Sequence, residues 1–182
     1  MTEKKEFLNF ETFWNTVGEK RSHSIALEDM NMLMFDSIMY DSEADEYSVD
    51  VWLKDKYRDK YFTNHYLKEH GLVFLDTIHL VHWANWLNIG VIVKRHPELS
   101  KSFFFSTRLE MVLDEPTFTN QPITYAMKIL TDRSKTNKHE FTFINRIGNW
   151  GYIIDDYVVV ENQFPILEHY HKKHKDLDVI EG

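Results

Sequence analysis

Residues 103–113 read FFFSTRLEMVL, and residues 123–129 read ITYAMKI. In the first run Phe103, Phe105, Thr107, Leu109, Met111 and Leu113 alternate with Phe104, Ser106, Arg108, Glu110 and Val112. In the second, Ile123, Tyr125, Met127 and Ile129 alternate with Thr124, Ala126 and Lys128. A repeat of two is the period of a strand, whose successive side chains point to opposite faces. Pro116 and Pro122 bracket a loop between the runs, and residues 134–138 link the second to Phe141 and Phe143. Gly148-Asn149 supplies turn chemistry before a return strand from Trp150 to about Val160. An antiparallel meander is therefore predicted over residues 103–160.

Upstream the pattern changes to helical spacing. Phe7, Phe10, Trp14 and Val17 predict a helix over 5–17 that stops at Gly18. Ser22 and Ser24 are candidate caps for a second helix over 25–40, with Leu27, Met30, Met34 and Ile38 as its apolar face. Tyr47, Val49, Val51 and Leu53 alternate with polar neighbours as a short strand, and a third helix is expected over 54–69. Residues 72–88 are apolar nearly all round, which predicts a buried central helix, a buried strand pair being the competing assignment. Pro165 opens a last short helix. The expected class is α+β: a single domain over 1–182, helical over about 1–90, an antiparallel sheet over about 91–162 and a terminal helix over about 164–176.

Composition narrows the function classes. The chain has 182 residues, 43% hydrophobic and 15% aromatic, which is a globular balance. A pI near 5.7 disfavours nonspecific binding to nucleic acid or an anionic membrane, and no direct duplex-DNA contact is expected. Without cysteine there is neither a disulfide nor a thiolate metal site. No apolar run reaches the length of a membrane span, so the expected location is cytoplasmic.

The charge is concentrated. Residues 22–53 hold eight carboxylates and no Lys or Arg, in a chain whose formal charge is −8. Asp41, Glu43, Asp45, Glu46 and Asp50 form the densest part, with Tyr47 and Trp52 beside them. Carboxylates at alternate residues of an extended segment lie roughly 6.6 Å apart, of the order of phosphate spacing along a nucleic-acid strand. Those seven residues are the candidate partner-binding set, facing a basic groove.

Other constellations are less specific. Asp76, His79 and His82 stand three residues apart, a spacing at which an Asp can orient a general-base His. His169, His171 and His174 lie among Lys172, Lys173 and Lys175, which oppose a dication. Asp41, Glu43 and Asp45 open like an EF-hand loop, but Glu46 and Trp52 stand where Gly and Glu are needed. Asp155 and Asp156, with Glu161 and Gln163, do not match a nuclease metal centre in order or spacing. No catalytic residue, metal ligand or cofactor is assigned.

The chain carries two resemblances. HEFTFINRIGNWGYIIDDYV, residues 139–158, resembles the last hairpin of NTF2-like proteins, which implies a pocket between sheet and helices, with Asp76 and His79 as candidate enzymatic residues. Size, acidity, aromatic richness and the lack of cysteine together resemble phage-encoded inhibitors of host defence, among them type II anti-CRISPR proteins. That likeness implies an inhibitor of a basic nucleic-acid-processing enzyme, such as a Cas nuclease with its guide RNA. An immunity protein for a basic toxin is a third expectation.

Overall fold

A computed structural model describes residues 4–18, 32–54, 57, 69–75, 77–114, 117–136 and 138–160. Its centre is a 19-residue helix, α2 (Thr77–Arg95), around which an antiparallel sheet curls. The elements before it are β1 (Lys5–Asn9), α1 (Phe10–Phe13) running into a π-helical turn (Trp14–Gly18), β2 (Leu33–Met34), β3 (Ser37–Asp41), β4 (Glu46–Leu53) and β5 (Val73–Phe74). After it come a 3-10 turn (Pro97–Lys101), β6 (Phe103–Leu113), β7 (Phe118–Thr119), β8 (Ile123–Lys135), β9 (Lys138–Ile147) and β10 (Gly151–Val160). The large sheet runs β1-β3-β4-β8-β9-β10-β6, with β2 added on β4; β5 and β7 form a separate two-stranded ribbon.

The sheet closes over α2 because β4, β8 and β9 send apolar residues to one face. Tyr47, Val49, Val51 and Leu53 from β4 are buried, as are Ile123, Tyr125 and Met127 from β8, and Phe141, Phe143 and Ile147 from β9. Along α2 every residue from Leu87 to Val93 is buried, so the helix is covered on all sides, as its nearly uniform apolarity requires. The second cover is the N-terminal segment. Phe13 is fully buried and lies so close to Gly90 that a Cβ there would stand 2.7 Å from its ring. Pro97 ends the helix, having no N–H with which to continue the ladder.

The expected arrangement, N-terminal helices packed on a C-terminal meander, is thereby corrected. Lys5–Asn9 is a strand, and only Phe10 to Gly18 is helical in the expected first helix. The described part of the expected second helix holds β2 and β3, paired with β4 and β1. A spacing of four, as in Met30, Met34 and Ile38, fits a strand's even period as well as a helical turn. Pairing with β4 decides between them. Most of the helix expected over 54–69, and the one over 164–176, lie outside the described residues.

Besides a shift between Glu6 and Leu8 of β1, two bulges redirect side chains within the sheet. Leu130 is the extra residue of β8 opposite β9, since Ile129 pairs with Phe143 and Thr131 with Thr142. The insertion reverses the in-out sense of the strand, so Asp132 and Ser134 turn to the helix side while Leu130 is 54% exposed. A second shift, between Asp156 and Tyr157 of β10, leaves Thr107 unpaired in β6 and sets Ser106 opposite Tyr157.

Candidate functional site

The bulge at Leu130 places Asp132 beneath the C-terminal end of α2, where His96 follows the last helical residue. His139, opposite Ser134 on β9, comes from the other side. His96 Nε2 lies 3.0 Å from Asp132 Oδ2, and His139 Nε2 lies 2.8 Å from Asp132 Oδ1. One donor atom from each of the three residues falls within 4.8 Å of the others. The rings are held from behind: His139 stacks on Phe141 with centroids 4.5 Å apart, and His96 packs at 4.7 Å from His139.

The surrounding charges orient the cluster. His96 Nδ1 stands 3.3 Å from Glu98 Oε1, so with a metal on Nε2 the proton on Nδ1 would donate to Glu98. Arg95 approaches Asp132 Oδ2 at 3.6 Å and donates to the Tyr47 hydroxyl at 2.8 Å. Its charge opposes a dication, but Asp132 and Glu98 outnumber it. Burial disfavours the Asp132 charge, yet the hydrogen bonds from His96 and His139 outweigh burial and hold its carboxyl below the usual range. Beside the cluster an open cavity of about 220 Å3 is bordered by Leu99, Val159, Ser134 and His139, with Lys135 and Lys138 on its rim. Both lysines clasp Glu140, and hydrogen bonds from Lys135 and then Lys138 draw its carboxyl down to about 2.

Donor type and spacing fit a metal. Two ligands bonded to one zinc at about 2.0–2.2 Å stand roughly 3.0–3.5 Å apart. The separations from Asp132 are already near that, and the carboxylate can bind through one oxygen or both. In the metal-free arrangement the same groups form a hydrogen-bonded cluster with Asp132 as the shared acceptor.

A second polar group lies in the core. Asp155 is 1% exposed; its Oδ1 accepts from the Ser106 hydroxyl at 2.6 Å, and its Oδ2 completes no hydrogen bond. Burial pushes its carboxyl up, against the pull of the Ser106 hydroxyl. Asn88 donates to the Tyr157 hydroxyl at 3.3 Å. None of the described cavities reaches this group.

The acidic residues singled out in the sequence form the β3–β4 hairpin. Asp41 Oδ1 accepts from the backbone N–H groups of Glu43 and Ala44, as an Asp does in a tight turn, and Asp45 carries the positive φ of 49°. Asp45 accepts from the Tyr40 hydroxyl, Glu46 pairs with Arg146, and Asp50 accepts from the Thr124 hydroxyl. Tyr47 faces the core at 2% exposure, whereas Trp52 is half-buried on the outer face. His79 and His82 are half-buried near the start of α2; Asp76, His169, His171 and His174 lie outside the described residues. None of the His96, Asp132 and His139 set was assigned from sequence. The one local signal was the break in alternation after Ile129, which marks a bulge but not its consequence.

No protein-family model matches the chain, and no curated protein matches it. Solved structures do. A hot-dog-like protein from Thermanaerovibrio acidaminovorans aligns at 13% identity and TM-score 0.45, over 70% of this chain and 89% of that one. A thioesterase family protein from Silicibacter pomeroyi aligns at 6% identity and TM-score 0.49, over 81% and 98%. A mutant thioesterase from Pseudomonas aeruginosa aligns at 9% identity and TM-score 0.45, over 80% and 92%. The expectation of an anti-CRISPR-like inhibitor is corrected by these matches, which are hot-dog-like and thioesterase proteins. The NTF2-like and toxin-immunity expectations match none of them either. Among the described residues, no helix is long and apolar enough to cross a membrane.

Proposed function

We propose that the chain binds one divalent transition-metal ion of zinc's coordination class through His96, Asp132 and His139. The observation that carries the reading is the shared carboxylate: both imidazole Nε2 atoms converge on Asp132 while Glu98 takes the other nitrogen of His96. A carboxylate behind a ligating histidine is the usual way its tautomer and ring plane are set. Three protein ligands leave a position open, the arrangement of catalytic rather than structural zinc sites. A cavity bordered by His139 and Ser134 adjoins the cluster and has room for water or a small molecule. A water bound there would ionise near neutral pH and become a nucleophile, so the centre suits Lewis-acid chemistry on a small substrate.

The test is calorimetric titration of zinc into chelator-stripped protein. One equivalent should bind, and His96→Ala, Asp132→Asn and His139→Ala should each weaken binding at least tenfold while circular dichroism stays native. Asp50→Asn, on the outer face, should bind as the parent does. Loss of binding in none of the three ligand variants, or no saturable binding by the parent, defeats the proposal.

A further inference from the structure

The N-terminal segment leaves a second cavity where it crosses the C-terminal half of α2. It measures about 300 Å3, at the lower end of the ~300–1,000 Å3 typical of small-molecule pockets. Its floor is apolar: Leu8, Val17 and Val93 are buried, and Gly90 adds no side chain. Thr12, Thr16 and Ser100 contribute hydroxyls, and Lys94 stands on the lining with its side chain exposed. Among the described residues no ion pair or hydrogen bond engages the Lys94 side chain. An apolar floor is poorly satisfied by water, which needs two to four polar partners. A cation at the edge of an apolar slot suits a ligand that is apolar at one end and anionic at the other.

We propose that this cavity binds the alkyl chain of a medium-length fatty acid, with its carboxylate against Lys94. The inference does not rest on the metal reading, for the two sites lie on different sides of the Pro97–Lys101 turn. Pro97 and Ser100 border the alkyl cavity, whereas Glu98 and Leu99 border the other. Gly90 borders the cavity with no side chain, and a Cβ there would strike the Phe13 ring.

The experiment is calorimetry on the full chain, stripped of metal, with hexanoate, octanoate and decanoate, and with octanol and octyl sulfate as controls. A single saturable site is expected, with affinity rising about fourfold for each methylene while the chain still fits. Lys94→Gln should weaken octanoate and octyl sulfate by up to about fivefold, the range of an exposed ion pair, and leave octanol unchanged. Octyl sulfate binding like octanoate would assign the head to anions generally; selective octanoate binding would assign it to carboxylates. Thr12→Phe, which fills the cavity from an exposed position, should abolish all binding. Should Thr12→Phe not fold, Ser100→Trp blocks the other rim. Absence of saturable octanoate binding overturns the proposal. So does binding that survives a folded blocking variant, or a Lys94→Gln loss that is equal for octanol.

Discussion

Substituting Gly90 by alanine tests how the N-terminal segment is docked on the central helix. An alanine Cβ would stand 2.7 and 2.8 Å from two ring carbons of Phe13 and 3.4 Å from Leu8 Cδ2. Comfortable carbon contacts begin near 3.5 Å, so the ring must retreat by most of an ångström. It has little freedom to do so, being fully buried with the Phe35 ring edge-on at 5.1 Å. Overpacking of this kind costs about 1–3 kcal/mol, against which alanine recovers about 1 kcal/mol of helix propensity. A net loss of up to about 2 kcal/mol is expected, or up to roughly 8 °C in Tm for a chain of this length. Urea melts of the parent, Gly90→Ala, Phe13→Ala and the double variant measure it as a cycle. Phe13→Ala alone should cost about 3–5 kcal/mol, and in that background Gly90→Ala should become neutral or stabilising. If Gly90→Ala costs the same with and without the Phe13 ring, the ring is not packed against the helix as described.

Three other perturbations have defined outcomes. Gly151→Ala should lose about 3 kcal/mol or more, visible as a collapse of the urea midpoint, because at φ 149° its Cβ would fall 2.0 Å from the Val112 carbonyl oxygen. Asp155 has its carboxyl pushed up by burial, so the folded state holds the proton more tightly than the unfolded chain. Its contribution is therefore complete below the unfolded pKa near 3.8 and is lost as pH rises through the folded value; Asp155→Asn should flatten that fall and raise stability at pH 7, read from denaturation across pH 4–8. Glu98→Gln should weaken zinc about tenfold in a chelator competition, the lower end of the effect of such supporting carboxylates, since Glu98 is two-thirds exposed.

The sheet was legible where period two is unbroken. Ile123, Tyr125 and Met127 are buried together on β8, and Gly148-Asn149 lies in the turn before β10. The apolarity of residues 72–88 likewise marks the covered helix, although that helix starts at Thr77 and runs on to Arg95. Residues 32–41 misled because methionine favours helices and a spacing of four satisfies both periods; β-pairing overrode local preference. The acidic run drew notice as a surface, yet its first Asp acts on the backbone of its own turn. The site was hidden for another reason. His96 and His139 look unremarkable in sequence, and the residue that joins them, Asp132, would face solvent if the alternation from Ile123 simply continued. One inserted residue, Leu130, brings it inward, and a single sequence does not reveal a bulge's position.

The central claim is that His96, Asp132 and His139 form one metal site with an open position. Cobalt(II) reports on it directly, because a low-coordinate, histidine-bound ion absorbs visible light far more strongly than the hydrated ion. Titrated into chelator-stripped protein, cobalt should give bands that saturate at one equivalent, disappear when zinc is added and fail to form in His139→Ala. A spectrum that stays that of hydrated cobalt, or one that His139→Ala leaves unchanged, would contradict the account.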